Sequence, residues 1–434
     1  MEFALDSGNT AWMLASASLV LLMTPGLAFF YGGMVRSKSV LNIMMMSFGA
    51  MGVVGIVYVL WGYSMSFGSD VGGLIGNPFD FFGLENLTDA DSILGGGGVP
   101  ALVGVGFQAT FAIITVALIS GSLPERVKFG AWLVFSAVWV TFSYFPLAHM
   151  VWGGGLLSGS ADGIAAKLFG VTDGAATVAP IDFAGGTVVH INAGVAGLVL
   201  ALIIGKRKGF GKEPFRPHNL PFVMLGAALL WFGWFGFNAG SAGAADGTAG
   251  LAWVNTTVAT CAAMLGWLVT EKLRDGHATS LGAASGVVAG LVAITPAAAA
   301  LSPVGSIILG IVAGVLCALA VGLKYKFGYD DSLDVVGVHL VGGLTGTILI
   351  GLLSTDTGLF YGHGGKQLVV QIVIAVAAVV ISGVVTAIIG YIIKATSGWR
   401  VSEEVEAGGI DLAVHGESAY ETVSAGRIVT EVKA

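Results

Sequence analysis

The chain has 434 residues, of which 55% are hydrophobic and only 10% are Asp, Glu, Lys or Arg, against roughly 25% charged in an ordinary soluble protein. So few charges cannot cover the water-facing surface of a globule this size, which excludes an ordinary cytosolic enzyme. The 68 glycines follow no Gly-X-Y period and form no polar low-complexity tract, which excludes collagen and disorder, and the net charge of −7 says less than where the charges sit.

A membrane-crossing helix needs about 20 predominantly apolar residues. In chain order such runs fall at 11–35, 40–67, 100–121, 129–150, 184–204, 219–240, 249–270, 279–299, 303–325, 335–354 and 367–394. Runs such as 369–380 lack the strict alternation of an outer-membrane barrel strand. The expected class is therefore an all-α polytopic membrane protein of eleven helices, packed closely because small residues let backbones approach in lipid. The first nine residues carry Glu2 and Asp6 but no basic residue, so they lack the n-region of a cleavable signal peptide and the first run reads as a retained span. Outer loops 68–99 and 151–183 are long and rich in Gly and Asp, and the tail 395–434 is polar. Cys261 and Cys317 lie inside apolar runs and suggest neither a disulfide framework nor a metal motif.

Seventeen of the 19 basic residues belong to one set of loops and the tail, among them Arg36, Lys38, Arg126, Lys128, Arg207, Lys272, Lys326 and Arg400; the opposite set holds only Lys167 and Lys366. The positive-inside rule then puts the N-terminus outside and the C-terminus in the cytoplasm.

Two segments share a pattern. Val189-His190-Ile191 is followed by Gly194 and Gly197, and Val338-His339-Leu340 by Gly343 and Gly346, with Asp182 and Asp334 preceding. Five spans separate the copies, so they cross the bilayer in opposite directions, the signature of two inverted five-helix repeats plus a final helix. His190 and His339 are the histidines expected to be embedded, and ionisable groups in a membrane usually face a cavity or each other. If both reach the midplane they meet as a pair, each leaving one nitrogen for a lumen. A metal reading lacks a third ligand at helical spacing. Asp182, eight residues before His190, reads either as a carboxylate capping a helix start or as a long-range attraction for a cation.

With that topology Phe107, Phe111, Trp152 and the Trp234-Phe235-Gly236-Phe237 stretch converge near the outer mouth. Aromatic faces beside a hydroxyl such as Ser241 suit a small cation, and flanking glycines allow close approach. An outer cation cage followed by two neutral histidines suits a permeant that is a cation outside and sheds its proton for passage, as ammonium does.

At these residues the chain resembles the ammonium transporter (Amt/Rh-like) family, of bacterial Amt type. Asp182 through Gly197, continuing to Gly205-Lys206-Arg207, looks like the family's signature segment. Phe107 to Phe111, Ala148 to Gly155, Gly233 to Ser241, Gly290 to Pro296, Gly337-Val338-His339 and the tail motifs from Arg400 and His415 to Tyr420 match in order. The resemblance implies that Phe111, Trp152, Phe237 and Ser241 form an outer recruitment site for ammonium or methylammonium. It makes Phe111 and Phe237 a stacked gate with Phe107 beside it, His190 and His339 the twin pore histidines, and Asp182 a supporting carboxylate. It further implies a homotrimer in a bacterial cytoplasmic membrane, with one pore per subunit, and control by a PII-type signal protein on the cytoplasmic face. On this reading residues 1–394 are the transmembrane domain and 395–434 a regulatory tail, which runs fourteen residues past Tyr420. No cofactor, metal, nucleic-acid partner or enzymatic activity is expected. The alternatives are an ammonium sensor with low flux, a membrane enzyme or metal protein using the histidines, and a channel for another small polar solute.

Overall fold

The computed structural model describes residues 4–89, 93–94 and 97–420; expectations about the last fourteen residues fall outside them. Among the described residues, ten helices are long and apolar enough to cross a membrane, and an eleventh is shorter. In chain order they are α1 (Ser7–Met34), α2 (Ser37–Phe67), α3 (Ala101–Ser122), α4 (Phe129–Trp152), α5 (Gly186–Ile204), α6 (Leu220–Gly240), α7 (Gly247–Asp275), the shorter α8 (Ser280–Ile294), α9 (Pro303–Phe327), α10 (Val336–Leu353) and α11 (Lys366–Ala395). Each apolar run read from the sequence falls on one of them. Helix α8 falls five residues short of its run: it stops at Ile294 and gives way to turns over 295–300, where Pro296 has no N–H to continue the ladder. Past α11 the tail forms α12 (Glu403–Gly408).

Side-chain caps set many of the helix starts. Asp6, Asn219, Asp246, Thr279 and Ser302 each accept from an amide in the first turn of α1, α6, α7, α8 and α9, satisfying donors that the helix itself leaves free. The start of α2 has no such cap from its own flank. There the tail supplies one: the Asp411 carboxylate accepts from the Leu41 and Asn42 amides at 2.9 and 2.8 Å.

Glycine lets the helices touch backbone to backbone. A Cβ at Gly226 of α6 would collide with the Phe30 backbone of α1, and one at Gly236 would lie 2.6 Å from Ser16 O. Since Phe30 is near the end of α1 and Ser16 nearer its start, the two helices run antiparallel. A Cβ at Gly314 of α9 would overlap the Ala263 carbonyl of α7. Such close approach is how helices gain dispersion contact where no hydrophobic drive separates helix from lipid.

One end of the bundle carries the N-terminus and the 68–99 and 153–185 segments; it is called the N-terminal face below, and the opposite end the tail face. On the former, β1 (Asp70–Val71) pairs antiparallel with β2 (Ile75–Gly76), β3 (Ile93–Leu94) with β4 (Val99–Pro100), and β5 (Val171–Thr172) with β6 (Ala175–Ala176). These small hairpins leave the core to the helices.

The repeat predicted from the two histidine segments is present at the centre. α5 opens with a π-helical stretch, Gly186–Ile191, and α10 opens with another, Val336–Leu340; π turns are rare and concentrate at functional positions. The two helices cross where Gly194 faces the Leu340 backbone, 2.5 Å from where a Cβ would sit, and where Gly343 faces His190. The sequence suggested Asp334 as the partner of Asp182. The structure corrects this to Asp331, which stands eight residues before His339 as Asp182 stands eight before His190. Asp331 accepts from the Val335 and Val336 amides at 3.1 and 2.7 Å and from Ser122 Oγ at 2.7 Å. Asp334 instead turns outward with φ +65° and pairs with Lys324 at 2.7 Å.

Candidate functional site

The starts of α5 and α10 come from opposite faces, and their π turns aim His190 and His339 at each other. The Nδ1 atoms are 3.3 Å apart and the rings nearly parallel, 5.4 Å between centroids and 17° between planes. One Nδ1 must donate and the other accept, so at least one ring is neutral. His190 Nε2 has no protein partner. Both rings are buried, at 1% and 3% exposure.

Trp234 covers the other side of His190, stacked at 5.5 Å and 14°, with its Nε1 donating to Thr295 Oγ1 at 2.8 Å. Trp234 was not singled out as a site residue from the sequence. The signal was there, since it lies three residues before Phe237 and so on the same helix face.

Towards the N-terminal face, Phe237 stacks on Phe111 with centroids 4.1 Å apart and planes 14° from parallel. Phe107 packs on Phe111 at 4.8 Å, and Trp152 meets Phe111 edge-on at 6.2 Å. Ser241, one turn past Phe237, donates its hydroxyl to the Phe237 carbonyl at 2.8 Å. The expected residues are thus brought together, with Ser241 close by and partly exposed.

The Phe111–Phe237 stack separates two spaces. Above it is an open cavity of about 670 Å³ lined by Phe107, Gln108, Phe111, Trp152, Phe183 and Ser241 among others. Below it is a narrow space of about 10 Å³ lined by His190, Trp234, Phe237 and His339 with Leu27, Ile114 and Val189, room for about one water molecule. Its lining offers few polar atoms besides the imidazoles.

Asp182 holds this arrangement from the side. Its carboxylate accepts from the amides of Gly185, Gly186, Thr187 and Val188 at 3.0, 2.5, 2.9 and 3.3 Å, and from the Thr187 hydroxyl. Gly185 has φ +115°, a value that glycine tolerates best, so the chain can turn sharply and present four amides to one carboxylate. The capping role considered from the sequence is what the hydrogen bonds build; no bond joins this carboxylate to His190.

On the tail face the basic loops close around buried acids. Arg207 pairs with Asp330 at 2.9 Å and Glu125 at 3.3 Å, and Arg36 reaches Glu125 at 3.0 Å. Burial brings Arg126 down to about 10 despite Asp330 beside it. Burial would also lower Arg207, but Asp330 and Glu125 hold it above its ordinary value. Burial raises Asp331 to about 6, with Lys324 pulling the other way. The tail docks here: Glu406 accepts from the Lys208 amide at 2.7 Å and from Arg400 at 2.5 Å, and His218 contacts the Tyr420 hydroxyl at 2.9 Å.

His190 and His339 are not the only sealed histidines: His149, in the last turn of α4, is also fully buried.

The profile of the Ammonium Transporter Family matches residues 11–420. The ammonium transporter of Mycobacterium tuberculosis (strain ATCC 25618 / H37Rv) is 56% identical over 98% of this chain and 92% of its own length. That of Aquifex aeolicus is 49% identical over 96% and 95%. Among solved structures, Candida albicans Mep2 superposes with a TM-score of 0.81 at 31% identity, covering 92% of this chain and 87% of that one. A protein described as a sensor Amt protein superposes at 0.83 with 27% identity, covering 94% and 98%. This multi-pass membrane protein belongs to the ammonium transporter family and is an ammonium transporter.

Proposed function

We propose that ammonium is recruited in the cavity above the Phe111–Phe237 stack, passes its proton to water in that open cavity, and crosses as ammonia past His190 and His339. In this reading Trp152, Phe111, Phe237 and Ser241 hold the cation, the electron-rich ring faces substituting for part of its hydration. Phe111 and Phe237 act as the gate with Phe107 behind them. Asp182 is a supporting residue that keeps the α5 start and the indole of Trp152 in place.

The observation that carries the reading is the change in size and polarity across one aromatic stack. A hydrated cation fits about 670 Å³ but not about 10 Å³. Bringing a bare ammonium-sized ion into a low-dielectric interior costs on the order of 20 kcal/mol by an idealised Born estimate. A neutral ammonia needs only a donor and an acceptor, which an imidazole pair with a free Nε2 offers.

The N-terminal face is the outer one and the tail face cytoplasmic, supported by the positive-inside bias of the loops. The membrane is the bacterial cytoplasmic membrane, the assembly a homotrimer, and residues 395–434 a regulatory tail below the transmembrane domain 1–394. A PII-type signal protein is the proposed partner on that face.

The deciding experiment is methylammonium and ammonium uptake in reconstituted vesicles with simultaneous current measurement, on the wild type and on His190→Ala and His339→Ala. Loss or altered selectivity of flux in either variant, with normal assembly, is the expected result; unchanged rate and selectivity in both removes the pair from the mechanism. A second reading, an ammonium sensor of low flux, draws on the likeness to the sensor Amt protein. Binding without appreciable flux in the same vesicles favours it.

A further inference from the structure

His149 sits between two oxygens that can only accept. Its Nδ1 is 3.1 Å from the main-chain oxygen of Ser66, and its Nε2 is 2.9 Å from Asp70 Oδ1. The ring is sealed from solvent while the Asp70 side chain is 48% exposed. A carboxylate that open to water is ionised at neutral pH. The bond from His149, with the Gly73 amide behind it, holds Asp70 below its usual range in spite of its slight burial. A neutral imidazole has one N–H. It can serve one of these oxygens but must aim a lone pair at the other. Only a ring with a proton on both nitrogens satisfies the two acceptors together.

What this ring joins bears directly on the cavity above the Phe stack. Asp70 also accepts from the Gly73 amide at 2.9 Å, and the Gly73 carbonyl accepts from the Leu156 amide at 2.8 Å. The His149 carbonyl accepts from the Gly153 and Gly155 amides at 2.9 and 3.1 Å. Thus one residue gathers the end of α2, the β1–β2 hairpin and the turn after Trp152. Gly153 is required for the fit, because a Cβ there would overlap Ser66 O and lie 2.6 Å from His149 Nδ1. Trp152, three residues on, ends α4 and walls the cavity.

We propose that His149 is a positioning residue of the outer cation site: doubly protonated, it bolts the β1–β2 hairpin to the end of α4 and so fixes the Trp152 indole over the cavity. The proposal deepens the recruitment reading above and rests on it. It also makes the site pH-dependent, since loss of one proton sets a lone pair against Ser66 O or Asp70 and loosens the bolt. Among the titratable groups on the elements packed here, Tyr58 of α2 and Tyr144 of α4 pack their rings on Phe145. Tyr63 of α2 packs its ring on Phe67 and Phe81; Asp80 accepts from Ser69 and Asn77; His190 of α5 faces His339. Asp70 is the one bonded to the ring.

The test uses the full chain labelled with ¹⁵N-histidine and reconstituted in lipid, with the signal assigned by its disappearance in His149→Gln. At neutral pH both ring nitrogens of His149 should give protonated signals. In Asp70→Asn, an exposed change that keeps the hairpin's size, the new amide can donate to Nε2 and the ring should revert to one proton. A neutral ring in the wild type overturns the proposal. In parallel, methylammonium uptake is followed across external pH of about 5 to 8, where this permeant stays a cation. His149→Gln should raise the half-saturation concentration about tenfold, roughly the worth of 1.4 kcal/mol, with maximal rate little changed. Asp70→Asn should flatten the wild type's loss of affinity at the alkaline end. A fall in maximal rate with half-saturation unchanged overturns the positioning role. Trp152→Leu separates the two readings: unchanged half-saturation there defeats the recruitment site itself, while the protonation of His149 is judged by the nitrogen signals alone.

Discussion

The indole Nε1 of Trp152 donates to the main-chain oxygen of Asp182 across 2.8 Å. That carbonyl belongs to the residue whose carboxylate gathers four amides at the start of α5. The wall of the upper cavity and the π turn that carries His190 therefore share one anchor, and disturbing it moves both.

Asp182→Ala strands those amides and the Thr187 hydroxyl in a buried place. A buried donor left without a partner costs about 1–3 kcal/mol, and several are stranded at once. The expected outcome is loss of uptake together with a lower thermal midpoint of the purified protein. Asp182→Asn keeps one acceptor oxygen and should fall between the two. An alanine variant as stable and as active as the wild type would contradict the anchoring role.

The crossing of α5 and α10 leaves no room for a methyl group at Gly194, where a Cβ would sit 2.5 Å from Leu340 N and 2.7 Å from its Cα. Overpacking of this kind costs about 1–3 kcal/mol, and here the displaced atoms are the backbone beside His339. Gly194→Ala should lower both stability and flux. Gly52→Ala is the control, because a Cβ there meets nothing within 4 Å. Equal effects of the two in thermal unfolding and uptake would show that the crossing is not tight.

Asp331 makes stability depend on pH in a defined direction. Burial holds its carboxyl at about 6, while in the unfolded chain it titrates near 3.9. The folded protein binds this proton more tightly, so its stabilising effect is full below about pH 3.9 and is lost as pH rises through about 6. Asp330 works the other way: burial would raise it, but Arg126 and Arg207 hold it below its ordinary value, so its contribution is present above about pH 3.9 and disappears on further acidification. Asp331→Asn should remove the decline between about pH 4 and 6, worth about 3 kcal/mol at one pKa unit per 1.36 kcal/mol. Thermal midpoints at a series of pH values check it; an unchanged slope across that window would refute it.

Docking of the tail depends on Asp411 at the start of α2. Asp411→Ala removes an N-terminal cap, worth about 1 kcal/mol in other helices. Residues 403–420 should then become more sensitive to protease added at the tail face, while the half-saturation for methylammonium stays within about twofold, about 0.4 kcal/mol. Unaltered cleavage would mean that the Glu406 contacts with Lys208 and Arg400 suffice to hold the tail.

Much of this was legible from spacing and from resemblance. Apolar runs located the helices because a bilayer imposes a length, and the repeated Val-His pattern located α5 and α10 because an inverted repeat must return the same residues to the centre. Less legible were features that depend on a turn of backbone. The Asp334 reading failed because two acids stand close together before His339, and only the hydrogen bonds separate Asp331, turned onto the helix start, from Asp334, turned out to Lys324. The burial of His149 was hidden because its cover, Asp70 and Ser66, lies about 80 residues away in sequence. Trp234 was seen as part of an aromatic run, but its stacking on His190 depends on the π turn that rotates the imidazole.

The cap that Asp411 gives to α2 has a consequence for biogenesis. Donor and acceptor are 370 residues apart, so α2 emerges from the ribosome with an open first turn and waits for nearly the whole remaining chain. At about 5–20 residues per second that wait is roughly 20 to 70 s, during which the tail-face end of the first repeat is exposed to whatever lies near the site of insertion. Completing that helix is thus one of the last events of translation, and the tail reports, by docking, that the second repeat has been made.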